Sequence, residues 1–286
     1  MKTSKLTLWG LLTLAIPSIL SQLLNNAFRI IDQYCIQWLG APAQAALGST
    51  SFILIAAFSM FMFIGGGIGP LVGRATGAND LESRNVFIGQ SLRSTVFVGL
   101  AYCITLVVTA PLMPDVVGLS GTSAEMMEDY LRWLGYTGFF LAFGPVIDAI
   151  YISMGNTKFP MFLQFLATVV NAGLNYFLIY TMEFGIAGAA ISSGVSRGIA
   201  SLIGLYCIQR DFSPKWIGSS EIKRMVRIGS PIAIGILSYA LVYWALLKTS
   251  ISPLGEPVNA ALGIGFSASF ILCINTPLSV AALTSA

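Results

Sequence analysis

The chain of 286 residues is 56% hydrophobic and only 9% charged, with a formal net charge of +3 and no histidine. Soluble domains carry roughly 25% charged residues, so this chain has too few charges to cover a water-facing surface and must face lipid. Without histidine, Ser-His and Cys-His nucleophile pairs and the usual His/Cys zinc sites are excluded, and neither an enzyme, a resident cofactor nor a nucleic-acid partner is expected.

Met1–Lys5 is basic, but the apolar run behind it continues well past the 7–15 residues of a signal peptide, so it reads as a retained first span. A helix needs about 20 apolar residues to cross a bilayer. Eight runs meet that length: 8–38, 44–73, 86–112, 124–154, 159–182, 185–207, 225–248 and 257–286. The expected fold is therefore all-α and polytopic, with eight transmembrane helices.

The first run carries Pro17, Arg29 and Asp32. A carboxylate at the centre of a span costs about 3 kcal/mol on insertion scales, which marks Asp32 as a functional candidate. It lies eight residues before the turn at Gly40, about 12 Å below it at the helical rise. Arg29, three residues earlier on the same face, is open to two roles: partner of Asp32, or contact for an anionic group of a substrate. In the second run Gly65, Gly69, Gly73 and Gly77 recur every four residues, which places them on one face suited to close helix packing or a hinge. No Walker lysine follows, so this is not a phosphate loop, and any transport would draw on an ion gradient.

The fourth run holds a second buried acid, Asp148. The fifth holds Asn171 and Asn175 one turn apart, and the sixth holds Ser192, Ser193, Ser196 and Arg197. Counted outward from the turn near Glu183, Asn175 and Ser192 reach similar depths, comparable to that of Asp32. One carboxylate and several neutral oxygens thus share a layer. Oxygen ligands of that kind suit Na⁺, and a carboxylate able to take up a proton suits H⁺. The alternative for each Asn and Ser is plain interhelical hydrogen bonding. Arg197 is a candidate partner of Asp148 or a cavity charge.

Basic residues are asymmetric across the eight runs. Lys2, Lys5, Arg74, Arg84, Arg93, Lys158, Arg210, Lys215, Lys223, Arg224 and Arg227 fall on one side, and only Arg132 and Lys248 on the other. The positive-inside rule then puts both termini in the cytoplasm. The polar stretch Gln209–Arg227 reads as a linker between two bundles. Just beyond it an internal repeat begins: Gly40-Ala-Pro-Ala-Gln-Ala-Ala-Leu-Gly48 is echoed by Gly255-Glu-Pro-Val-Asn-Ala-Ala-Leu-Gly263, 215 positions later. Six spans is an even number, so the two repeats would be parallel. The expected organisation is a six-helix lobe at 1–208, a cytoplasmic linker at 209–224, and the first two helices of a second lobe at 225–286. The two helices of that second lobe should splay away and expose small or polar faces.

With those residues in place, the chain resembles the multidrug and toxic compound extrusion (MATE) family. The likeness rests on IIDQYCIQWLG and APAQAALG around the first turn, GPLVGRATGAND after the second span, MGNTKFPM between the fourth and fifth, and VVNAGLNYFLIYTMEFGIAGAAISS across the fifth and sixth. The resemblance implies twelve helices in two lobes that exchange Na⁺ or H⁺ for amphipathic organic cations in the plasma membrane. It carries the first-span acid onto Asp32 and the polar positions onto Asn171, Asn175 and Ser193, with Na⁺ or H⁺ at Asp32 as the only ion. Some members have an acid where Asn175 stands. Others have one in the seventh span, where this chain has Tyr239, Ala240 and Leu241. The expected function is an ion-coupled antiporter for amphipathic, cationic compounds, completed by a missing second lobe or a second subunit. The alternatives are a flippase of lipid-linked oligosaccharides and an inactive truncated fragment.

Overall fold

The computed structural model describes residues 8–215 and 220–269. The basic Met1–Lys5 segment, and positions 270–286 of the expected eighth span, lie outside them.

All described elements are helical: α1 (Leu8–Ile36), α2 (Ala41–Gly77), α3 (Leu81–Thr109), α4 (Met113–Val117), α5 (Thr122–Thr137), α6 (Phe143–Ser153), α7 (Lys158–Asn175), α8 (Gly185–Phe212), α9 (Ile222–Leu246) and α10 (Glu256–Ser269). Among the described residues six segments are long and apolar enough to cross a membrane: Ala41–Gly77, Leu81–Val117, Thr122–Ser153, Lys158–Thr181, Gly185–Phe212 and Ile222–Leu254. The protein is an all-helical, multi-pass membrane protein. Its fourth expected span is not one straight helix. A 3-10 turn at Gly138–Ala142 divides α5 from α6, next to Gly144 and Pro145, where the backbone ladder loses a donor.

Local sequence explains where the helices start. Asp80 caps α3 by accepting from the Ser83 N–H at 3.0 Å, and the Ser83 bonds hold its carboxyl below the ordinary range. The repeated motif folds twice in the same way. A 3-10 turn at Gln37–Leu39 leads to Gly40 at φ 87°, and another at Ser252–Leu254 leads to Gly255 at φ 96°. Each glycine is followed two residues on by a proline in the first helical turn, Pro42 and Pro257. Only glycine adopts that φ without strain, so the echo in sequence is an echo in backbone.

The core is two apolar clusters stacked along the helices. One, toward Gly40, contains Ile36, Ile53, Tyr102, Leu131 and Ile179. The other, toward Asp80, contains Phe28, Ile68, Ile88, Ile150 and Leu163. On three helices the boundary between the clusters is polar. Asp32 falls between Phe28 and Cys35 on α1, Asn171 between Ala167 and Ile179 on the α7 segment, and Ser192 and Ser193 between Ala190 and Ala200 on α8.

Glycines let α2 serve two neighbours. Cβ atoms built at Gly65, Gly69 and Gly73 would meet Pro145, Ala149 and Ser153 of α6 at 3.2, 3.8 and 3.5 Å, so this stripe is a packing face. Gly67 points elsewhere, where a Cβ would collide with the Met225 backbone of α9, and Gly229 of α9 likewise abuts the Met62 and Phe63 carbonyls. The seventh segment therefore does not splay: its first half lies backbone to backbone on α2. Its exposed face is also not small or polar, since Ile234, Leu241 and Val242 are each more than half exposed. Pro17 sits inside α1 and Pro231 at the corresponding place in α9.

Candidate functional site

α7 is stitched along α1 at three levels. The Thr168 hydroxyl reaches the Leu24 carbonyl at 3.3 Å, the Tyr180 hydroxyl reaches the Cys35 carbonyl at 3.0 Å, and between them the side-chain amides of α7 meet Asp32. Asp32 is 7% exposed. Its Oδ1 accepts from Asn171 Nδ2 at 2.9 Å and from Asn175 Nδ2 at 2.7 Å, and its Oδ2 accepts from Ser193 Oγ at 2.8 Å. All three donors are neutral, and all three come from helices other than α1. Each bond to a charged acceptor contributes about 1.5–3 kcal/mol, enough together to hold a carboxylate that burial alone would penalise heavily.

The amides are oriented by a further set of bonds. Asn175 Nδ2 also donates to Asn171 Oδ1 at 3.2 Å, and Ser192 Oγ donates to Asn175 Oδ1. With both amide oxygens taken, the amide nitrogens must face Asp32. Directly after Asn175 the chain widens into a π-helical stretch, Tyr176–Thr181, a distortion that turns a helix face and often marks functional positions.

The site thus brings together Asp32, Asn171, Asn175 and Ser193. It does not include Arg29: the partners of Asp32 are Asn171, Asn175 and Ser193, and an ion pair with Arg29 is not among them. The i, i+3 spacing placed the two on one face, but the acid is already claimed by donors across the helix interface. Asp148 has Arg197 as its charged neighbour without forming an ion pair with it. Arg197 instead donates from Nη2 to Asn25 Oδ1 at 2.9 Å, and its guanidinium carbon lies 4.2 Å from the Phe28 ring centroid. Pro17, Gly65, Gly69 and Gly73 lie away from the acid.

Two neighbours escaped sequence reasoning. Tyr130 of α5, 3% exposed, stands beside Ser193 and Asp32. Gln44 of α2 donates to the Gln33 carbonyl at 2.8 Å and accepts from Gln33 Nε2 at 2.5 Å, locking the α1–α2 corner next to Asp32. The tyrosine carried no signal among so many aromatics. The glutamine pair did, since two amides in apolar runs need each other.

The shell around Asp32 sets what a sodium ion or a proton would meet there. Among the described residues no group of three or more Cys, Asp or Glu is placed to hold a metal ion. A sodium ion would have Asp32 and Ser193 Oγ as oxygen ligands, but the amides of Asn171 and Asn175 present nitrogen and would have to turn over to contribute. A proton on Oδ2 requires only that the Ser193 hydroxyl rotate from donor to acceptor.

A MatE family model matches residues 17–177, more than half of the chain. The chain belongs to the MATE family. This MATE chain is 24% identical over 283 residues to a probable multidrug resistance protein, YoeA, of Bacillus subtilis, covering 92% of the chain and 60% of the relative. It is 23% identical over 282 residues to an FAD transporter of Shewanella oneidensis, covering 92% and 61%. In structure it is similar to an inward-facing multidrug resistance MATE family transporter of the MOP superfamily, with a TM-score of 0.80 and 23% identity over 89% of the chain and 60% of that protein. The chain spans about 60% of the length of these relatives. The family resemblance drawn from the sequence motifs is borne out. The cargoes in the relatives' names differ, so cargo must be argued from this chain's own residues.

Proposed function

We propose that this chain is the larger part of an ion-coupled secondary antiporter that exports amphipathic organic compounds across the plasma membrane, with Asp32 as the coupling group. One observation carries the reading: a carboxylate deep in a helix bundle, solvated by three neutral donors from two other helices and by no cation. Such a group sits stably in its ionised form yet stays able to accept an ion, and an antiporter needs a group whose occupancy differs between its two access states. Because proton uptake needs one hydroxyl rotation and sodium needs two amide reversals, the coupling ion in this reading is H⁺.

The wider organisation is part of the same proposal. Residues 1–208 form a six-helix lobe, 209–224 a cytoplasmic linker, and 225–286 the first two of a second set of helices, eight spans in all, with both termini inside. The remaining helices of that second lobe, or a second subunit, complete the path. The matching turns at Gly40 and Gly255 support this repeat.

The test is ethidium efflux from proteoliposomes that hold the chain together with the rest of its second lobe, driven by an imposed pH gradient. Asp32→Asn should insert normally and lose gradient-driven efflux by about tenfold or more, the equivalent of one charge-assisted interaction. Efflux at the unaltered rate in Asp32→Asn rejects the coupling role.

A further inference from the structure

The sequence MGNTKFPM takes no part in the Asp32 site. It forms the turn from α6 into α7, and its backbone is fixed. The Asn156 N–H closes on the Tyr151 carbonyl at 2.9 Å and the Gly155 N–H on the Ile152 carbonyl at 2.9 Å, with Gly155 at φ 80°, a Schellman end to α6. Asn156 then reaches forward, and its Oδ1 accepts from the Phe159 N–H at 3.2 Å. Asn156 therefore caps α7. Thr157, at the helix boundary, makes no capping bond of its own.

Donors are left over in that turn. Thr157 is only 3% exposed, yet its hydroxyl has no hydrogen-bond partner among the described residues, where a buried hydroxyl ordinarily has one. The N–H groups of Thr157 and Lys158 reach no acceptor among those residues either. Both residues line a cavity of about 380 Å³, bounded by the turn 154–158 and by Thr13 and Leu14 of α1. Lys158 is in none of the ion pairs of the described residues, no acid stands in the first turn of α7, and no described carboxylate lines the cavity. The positive end of the α7 dipole adds to the ammonium. Because Lys158 also opens the membrane-crossing segment Lys158–Thr181, the cavity lies at the level of the lipid headgroups.

We propose that this cavity binds a phosphate group at the membrane boundary, that of an anionic phospholipid, with phosphate oxygens on the Thr157 hydroxyl and the two free N–H groups and its charge against Lys158. Backbone N–H groups at a helix N-terminus, a hydroxyl and an ammonium are the donors that suit a phosphate. Basic pockets between transmembrane helices on the cytoplasmic side take anionic headgroups, and the orientation proposed above puts this turn on that side. The lipid bridges the start of α1 and the start of α7, the two helices that meet further along at Asp32. The site stands whether or not Asp32 couples an ion.

The experiment is native mass spectrometry of the full chain in detergent, titrated with phosphatidylglycerol or with phosphatidylcholine, whose choline opposes the charge of Lys158. The first phosphatidylglycerol should bind about fivefold more tightly than the first phosphatidylcholine. Thr157→Val should weaken it about tenfold, the loss of a hydrogen bond to a charged group, and Lys158→Gln about fivefold. Thr157→Ser keeps the hydroxyl and should bind like the parent. Lys223→Gln, which removes an exposed cation at the start of α9, is the control and should change nothing. Equal affinity for the two lipids overturns the site. Equal weakening by Lys158→Gln and Lys223→Gln with none from Thr157→Val, the pattern of diffuse surface charge, also overturns it. Displacement of phosphatidylglycerol by millimolar inorganic phosphate overturns the lipid assignment and gives the cavity to a soluble phosphate.

Discussion

The carboxylate of Asp32 and the side-chain amide of Asn175 meet at 2.7 Å although 143 positions separate them. That contact ties the first span to the α7 segment at the boundary of the two apolar clusters, so its loss should be read in stability and in coupling alike. Asn175→Leu removes a donor to a buried carboxylate and one of the two acceptors of the Ser192 hydroxyl, which keeps the Ala189 carbonyl at 2.9 Å. We expect a loss of about 2–4 kcal/mol, read as a lower thermal midpoint in detergent. In the Asp32→Asn background the same change should cost clearly less, because neighbours in one network are not additive. Equal costs in both backgrounds would show that the contact contributes nothing.

Ser193 is the rotor of the proton reading. Ser193→Ala leaves Oδ2 with no donor, whereas Ser193→Thr keeps the hydroxyl. Ethidium efflux should fall in the alanine variant and largely survive in the threonine variant, and an imposed sodium gradient should drive neither the variants nor the parent. Sodium-driven efflux in the parent would show that the amides of Asn171 and Asn175 do turn over.

The glycines of α2 predict a graded series. Gly67→Ala forces a methyl into the Met225 backbone and should unseat the start of α9, at a cost of about 1–3 kcal/mol, as for other overpacking changes. Gly77→Ala meets nothing within 4 Å and should be neutral or slightly stabilising through helix propensity. The two thermal midpoints, measured side by side, decide this.

Orientation is open to labelling. A single cysteine at Thr122, where α5 begins, should react with an impermeant maleimide in intact cells, and one at Lys215 only after permeabilisation. The reverse pattern would invert the Lys/Arg argument.

The site was legible to the degree that depth can be counted along a helix. Counting 1.5 Å steps from the turns puts Asp32, Asn175 and Ser192 at similar depth, the family resemblance adds Asn171 and Ser193, and the structure brings Asp32 together with Asn171, Asn175 and Ser193. The choice of partner within the layer was not legible. Asp32 could bond either to Arg29 on its own helix or to α7 and α8, and only helix rotation, set by packing around Thr168 and Tyr180, decides between them. Tyr130 was hidden for a different reason: among 18 phenylalanines and 10 tyrosines, one more aromatic in an apolar run carries no information until its neighbours are known. In the fold, the glycine stripe announced a close contact on α2. Gly67, off that stripe, gave no sign that a second helix would press on the opposite side.

Gly67 and Gly229 face backbone rather than side chains. At those two positions main chain meets main chain, and the side chain that a displacement along the axis has to carry past this stretch is Ile232, seated against Gly66. Relative motion of α9 over α2 is therefore best accommodated as shear, a slide of a packed pair, while the interlocked faces on either side travel as rigid bodies.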